Sequence, residues 1–410
     1  MTKKTVPAAV GPLAILILLT LTLSPSIPIL GRQAARAENL VTIRGQYYRE
    51  PSTKVVQPVV EMTADLPAGL DISAHYLLDA ITSASAASGP SGDNLFTEFR
   101  SEAGVSLGKS WSRFHLAGAY KYSAESDYWS HTAAVSAIMR VWDDTGTVAV
   151  TGGLGLDQVG RRAQGNAPIV SPPPGAPCAP SANRTCPLTS EFGGVGYSQV
   201  LSPTLLVQGG YEVVVLNGYL GSPYRAVSPF GTERVPDNRV RQALSARGAK
   251  YFAVSRTGLQ LLYRFYWDLE WDPSEPARLV RSAVDTDASD PWHIRSHTVE
   301  LRVFQGIGSD LELRLTGRYY SQGPANFWCD QRQDSTCYAG AQLYTSDPKL
   351  QPVATAFVEA KVYWEAARWR NLALLRWFSR GTFELSYGRF FQDTSFGDAH
   401  VLQTGYSLPF

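Results

Sequence analysis

The sequence is short of the residues and patterns that mark most enzymes and most helical proteins. Its 410 residues hold 4 cysteines, 3 methionines and 6 histidines. No H-E-x-x-H metal motif and no G-x-S-x-G nucleophile elbow occurs. His293 and His297 are four apart, a spacing that pairs side chains on a helix but separates them by about 13 Å along a strand. Helical periodicity is nearly absent throughout. No catalytic constellation is formed and no cofactor is expected, so the chain is read as a non-enzyme.

Charge of one sign is lacking too. The full chain carries 37 basic and 36 acidic residues, which gives nucleic acid nothing to bind. Beyond the N-terminus no apolar run is long enough for a membrane helix. The best candidate, TLLVQGGYEVVVL, is short and broken by Gly and Glu.

What is present begins with an export signal. Lys3 and Lys4 precede an apolar run to Leu23, and Ala35-Arg36-Ala37 forms a cleavage-type site. Residues 1–37 are therefore expected to be a cleaved signal peptide, with 38–410 as one domain. Export exposes the four cysteines to oxidising conditions. Cys178 with Cys186 and Cys329 with Cys337 are expected to close two local loops as disulfides. Zinc is the alternative, but C-x-x-C spacing and nearby histidines are both missing.

Period-two segments of about ten residues recur to the end of the chain. Sixteen are expected as strands: 39–49, 55–65, 70–80, 95–107, 112–122, 128–140, 147–157, 189–200, 204–215, 240–253, 258–268, 293–305, 310–321, 353–364, 381–392 and 399–410. Their connections alternate. One set is tight (DLPAG, GKSW, DDTG, LSPT, SRTG, GIGS). The other is often long and polar (81–94, 158–188, 217–239, 269–292, 322–352). Short turns at one end and long loops at the other are the pattern of an outer-membrane barrel. Segment 365–380 breaks it, reading either as an amphipathic rim helix or as a long hairpin.

Each strand has an apolar and a charged face. In DLELRLTGRYYSQ, Leu311, Leu313, Leu315 and Tyr319 oppose Glu312, Arg314 and Arg318. Aromatic residues gather near strand ends on the apolar side: Tyr263, Phe265 and Trp267; Tyr319; Tyr387 and Phe391. The last strand carries Leu402, Thr404, Tyr406, Leu408 and Phe410 at alternate positions. That ending resembles the signal read by the bacterial barrel-assembly machinery. Lipid tolerates no open sheet edge, so the expected fold is all-β: a transmembrane antiparallel up-and-down barrel of about sixteen strands in the outer-membrane lipid.

The charged faces then line the interior. The candidate lumen row is Arg44, Glu98, Arg100, Glu102, Arg264, Glu300, Arg302, Glu312, Arg314, Arg318, Glu359 and Lys361. It reads either as a selective polar pore or as a cross-strand ion-pair lattice that orders the wall, and near charge balance favours the lattice. The loop DTDASD offers Asp285, Asp287 and Asp290 as weak calcium candidates. A solvated acidic loop is the better reading, since EF-hand spacing and its closing Glu are absent.

Several segments look familiar: HYLLDAITSAS (75–85), GSPYRAV (221–227), ERVPDNRVRQAL (233–244), LLYRFYWD (261–268), SHTVELRVFQ (296–305), RYYSQGPANFW (318–328) and YTSDPKL (344–350). Together they resemble an uncharacterised bacterial family of outer-membrane barrels, catalogued as domain of unknown function 3570. The resemblance implies a barrel at the cell surface and periplasmic redox proteins as partners. It supplies no catalytic residue. Three functions are carried forward: a channel for small polar solutes, a non-conducting scaffold for a surface or periplasmic complex, and, with least support, a membrane-embedded hydrolase.

Overall fold

The computed structural model describes residues 39–84, 95–161, 178, 180, 184–227, 229–270, 289–330, 336–366, 376–394 and 397–410. The expected signal peptide lies outside them.

Alternating side chains and turn residues at the expected places produce eighteen strands among the described residues. They are β1 (Leu40–Arg49), β2 (Thr53–Leu66), β3 (Leu70–Ala84), β4 (Leu95–Ser110), β5 (Phe114–Ala124), β6 (Tyr128–Val141), β7 (Gly146–Val159), β8 (Cys186–Ser202) and β9 (Leu205–Gly218). Then follow β10 (Ala226–Val227), β11 (Gly231–Thr232), β12 (Asn238–Phe252), β13 (Thr257–Leu269), β14 (Arg295–Ile307), β15 (Leu311–Gln322), β16 (Val353–Glu365), β17 (Thr382–Gln392) and β18 (Ala399–Pro409). Strands β10 and β11 form a small hairpin inside one loop. The other sixteen close into an antiparallel barrel, with each strand beside its chain neighbours and β9 beside β12. Strand β18 pairs with β1 from Leu40↔Pro409 to Arg49↔His400, which removes both sheet edges.

The expected strands are found with small shifts at their ends. The six tight connections singled out above all lie at one end of the barrel and the five long loops at the other. The short links after β1 and β5 also lie at the loop end, and the long link between β16 and β17 lies at the tight end. The tight end is the periplasmic one. Its turns include PAG, where Ala68 and Gly69 take φ of 64° and 72°. In the turn after β6, Trp142, Asp143 and Asp144 all have positive φ, a left-handed run that Asp tolerates better than Trp. Segment 365–380, read as either a rim helix or a long hairpin, is described only at its two ends. Glu365 ends β16, and Arg376–Arg380 is a 3-10 turn whose Phe378 packs on Phe383 and Tyr406. Residues 367–375 lie outside the described set.

The exterior is apolar. Ile43, Phe99, Leu107, Val135, Leu261, Leu315, Tyr319, Leu385 and Tyr387 are all exposed. Leu402, Thr404, Tyr406, Leu408 and Phe410 fall on that same outward face of β18. Three outward tyrosines each bond a histidine of the next strand through hydroxyl and Nδ1: Tyr120 with His131 (2.7 Å), Tyr263 with His297 (2.8 Å) and Tyr387 with His400 (2.8 Å). Each pair lies toward the loop end of its hairpin, where interfacial aromatics belong. Trp267 departs from the expected girdle. It is buried against Tyr211, Phe265, Val240 and Leu269.

Candidate functional site

The inward residues of the sixteen strands build the site. Strand pairing places them in hydrogen-bonded rows, so charges distant in sequence meet. Arg44 bridges Glu61 (2.5 Å) and Glu384 (2.6 Å), and Lys361 reaches the second oxygen of Glu384 at 3.1 Å. Arg100 pairs with Asp79 (2.6 Å), whose other oxygen accepts from Gln57 at 2.5 Å. Glu102 takes His75 (3.2 Å) and Lys121 (3.4 Å). Room for the His75 ring comes from the opposing Gly104, where a Cβ would collide with it.

On the other wall Glu300 lies between Arg302 and Arg318, each 2.7 Å away. Glu312 pairs with Arg314 at 3.0 Å, and Arg314 is stacked between Phe304 and Tyr363, each 4.6 Å from its guanidinium carbon. Arg318 lies over Phe357, and Lys361 over Tyr363. Arg264 crosses β12 to Glu212 on β9, 3.5 Å away. Glu359 shares a row with Thr316 on the same inward face. Every candidate of the lumen row thus lies on the inward face, and eleven of the twelve enter side-chain hydrogen bonds or ion pairs. Sequence reading missed Glu61, Asp71, Asp79, Lys121, Asp157, Glu212 and Glu384, along with Arg239, Arg241 and Arg247. Each stands at an inward alternate position of its strand, so the period-two pattern held the signal.

Above this wall the long loops fold inward into a cap. Trp292, Ile294, Ala325, Phe327 and Leu350 form its buried core, with Leu220, Val235, Trp328 and the inward Tyr266 packed against it. Arg239 on β12 anchors the cap from below. It is bonded to Asp268, and its guanidinium carbon lies 4.1 Å from the centre of the Trp292 ring. Within the cap, Arg225 bridges Glu233 and Asp347, each 3.0 Å away. Glu233 also accepts from the Ser222 amide and the Thr345 hydroxyl, both at 2.5 Å. Burial raises the Glu233 carboxyl above its ordinary range despite the facing Arg225. It lowers the Lys349 ammonium to about 8.

Both expected disulfides are present, with Cα separations of 5.8 Å (Cys178–Cys186) and 6.4 Å (Cys329–Cys337), ordinary for a bridged pair. The second is tied into the cap by Tyr338, whose hydroxyl bonds the Cys329 amide and carbonyl and the Thr345 carbonyl.

The calcium candidates Asp285 and Asp287 lie outside the described residues. Asp290 is buried, not solvated. Its carboxylate accepts the amides of Glu270 (3.0 Å), Trp292 (2.9 Å) and His293 (3.4 Å), which shapes the turn into β14. A different acidic group stands at the mouth: Glu98, Glu125 and Asp127 have oxygens within 4.8 Å of one another. Ser126 donates to Glu98 and Tyr224 of the cap to Asp127. Burial, then Glu98, pushes the Glu125 carboxyl up to about 8. A retained proton thereby relieves the repulsion among the three.

A closed antiparallel sheet with an apolar exterior, a charged interior and short turns at one end is an outer-membrane β-barrel. The family model described as protein of unknown function (DUF3570) matches residues 189–274 and 287–373, so the resemblance to that family is shown over these two stretches. Six of the seven segments that carried the resemblance lie inside them. Four of those segments supply Arg225, Glu233, Arg239, Asp268, Thr345 and Asp347, the residues that hold the cap.

Among solved structures, the chain is similar to a bacterial polysaccharide outer membrane secretin (8% identity, TM-score 0.47, 92% of this chain and 99% of that one). It is also similar to OccD3 (OpdP) of Pseudomonas aeruginosa (10%, 0.43, 95% and 97%) and to a loop-deleted OmpT, an outer membrane protein of Vibrio cholerae (9%, 0.44, 92% and 100%). No curated protein matches the chain.

Proposed function

We propose that this barrel is a channel for small polar solutes. The observation that carries the reading is the state of the inward charges. They are paired along the wall rather than across it, and several remain open to water, with the Glu212 and Glu61 side chains 59% and 43% exposed. Small residues line much of the β5–β9 wall, including Ala119, Ala134, Gly155, Gly194 and Gly210. Long side chains on the facing wall therefore do not meet equally long ones. A hydrated, charge-lined interior is what a polar solute needs to cross. Purified protein in planar bilayers is expected to give ohmic conductance above leak; its absence would end this reading.

The cap favours a second reading, a non-conducting scaffold for a surface or periplasmic complex that includes redox proteins. Its buried Arg225 network has the finish of a permanent structure. That reading predicts a barrel that stays silent in bilayers and co-purifies with periplasmic proteins. Under both readings export uses the N-terminal signal, and the barrel-assembly machinery recognises the last strand. Deleting Phe410 is expected to lower the amount of barrel in the outer membrane, measured by heat-modifiable mobility in membrane fractions. Unchanged insertion would remove Phe410 from the signal.

A further inference from the structure

The inward charges balance over the whole lumen but not over its two halves. On strands β2–β9 the carboxylates Glu61, Asp71, Asp79, Glu102, Asp157 and Glu212 outnumber the cations Arg100, Lys121 and Arg140, and Glu98 adds to the excess. On β12–β18 together with β1 the sign reverses, arginines and one lysine outnumbering Asp268, Glu300, Glu312, Glu359 and Glu384. Glu300 is shared by Arg302 and Arg318, and Glu384 is shared by Lys361 and Arg44. Arg247 bonds the neutral Gln208 (3.5 Å) and stands near both Arg302 and the shared Glu300. Chain order becomes angular position in an up-and-down barrel, so an acidic wall faces a basic wall across the bore.

Opposed walls of opposite sign create a transverse field, strengthened where low-dielectric walls focus it. Ion pairs within a wall weaken that field without reversing it, because each wall keeps its surplus. A solute with separated charges gains by aligning with that field, its anionic end toward the arginine wall and its cationic end toward the carboxylate wall. A neutral solute of the same size gains nothing. A simple ion is attracted by one wall and repelled by the other.

Resting on the channel reading, we infer that the lumen favours small zwitterions of the α-amino-acid class. The chemistry requires a carboxylate and an ammonium a few ångströms apart. Guanidinium forks such as Arg302 and Arg247 suit the carboxylate, and exposed oxygens such as those of Glu212 suit the ammonium.

The test is liposome swelling with alanine and with lactamide, two molecules of the same atomic formula of which only alanine is zwitterionic at neutral pH. Vesicles holding the wild-type barrel are expected to swell several-fold faster in alanine. The ratio of the two rates does not depend on how much barrel inserts. It is expected to fall toward one in Arg302→Gln, in Arg247→Gln and in Glu212→Gln. Swelling at equal rates in the two solutes overturns the inference and leaves the channel standing. A ratio unmoved by all three variants also overturns it, since the selectivity then comes from elsewhere. No swelling in either solute refutes the channel itself.

Discussion

The cap and the lumen wall are both built on arginine–carboxylate pairs, but the wall mixes buried pairs such as Arg100–Asp79 with open ones such as Arg314–Glu312, while the cap keeps its carboxylates away from water. In the cap, the Glu233 and Asp347 side chains are 2% and 8% exposed, and Glu233 accepts from Arg225, the Ser222 amide and the Thr345 hydroxyl. Along the wall, Arg314 and Glu312 keep 28% and 43% of their side chains exposed. A buried pair that loses one member strands the other charge in a medium that cannot hydrate it, whereas an exposed pair is replaced by water at little cost. The same chemistry is structural in one place and adjustable in the other.

The largest effect should come from breaking the cap. Glu233→Ala leaves Arg225, the Ser222 amide and the Thr345 hydroxyl without their shared acceptor, at a cost of about 3–5 kcal/mol to the cap. Protease cleavage within 219–237 and 336–352 should rise sharply while the strands stay protected. An unchanged digestion pattern would mean the network is not what holds the loops.

Within the wall, Glu300→Gln should be the most disruptive single change, at about 2 kcal/mol, because two charge-assisted partners lose their anion. It also frees two guanidinium groups. In a salt gradient the reversal potential should move toward anion preference. A shift toward cations would contradict the placement of the basic wall.

The acidic trio at the mouth sharpens the boundary between the two regions. Glu125 has its pKa raised to about 8, so the folded turn binds a proton that the unfolded chain releases above about 4.5. Stability from this group is fully present below that lower value and is lost as pH rises to about 8. The Gly160 amide bonds the Asp127 carbonyl beside the trio (2.6 Å), and its hydrogen exchange, corrected for intrinsic pH dependence, should accelerate across that window. Glu125→Gln should flatten the profile at its low-pH level.

Smallest of all should be Glu312→Gln. Its exposed pair with Arg314 is worth below about 1 kcal/mol, and the stacking of Arg314 between Phe304 and Tyr363 survives. A melting-temperature loss as large as that of Glu300→Gln would erase the distinction drawn between buried and exposed pairs.

Much of this architecture is legible in the residues themselves. Alternation separates lipid-facing from inward side chains, because successive side chains of a strand point to opposite faces. DLELRLTGRYYSQ shows it: Leu315 and Tyr319 are exposed, and Arg318 reaches Glu300. Turn chemistry and loop length fix which end is which, and both disulfides join cysteines only eight residues apart, so local spacing sufficed. The cap was not legible. Its residues lie in loops without periodicity, and the family resemblance marked their segments without saying that they meet. Trp267 reads as a girdle residue because its position in β13 is outward; only its packing with Tyr211 and Val240 buries it.

The sequence by itself determined the faces, the strands and the closure, since each rests on local alternation and on lipid's intolerance of unpaired backbone. Tertiary structure alone decided which charges meet and what the bore presents. Arg44 and Glu384 are 340 residues apart and still share a hydrogen bond. Overall charge balance conceals an acidic wall and a basic wall, because only closing the sheet turns order along the chain into position around a ring.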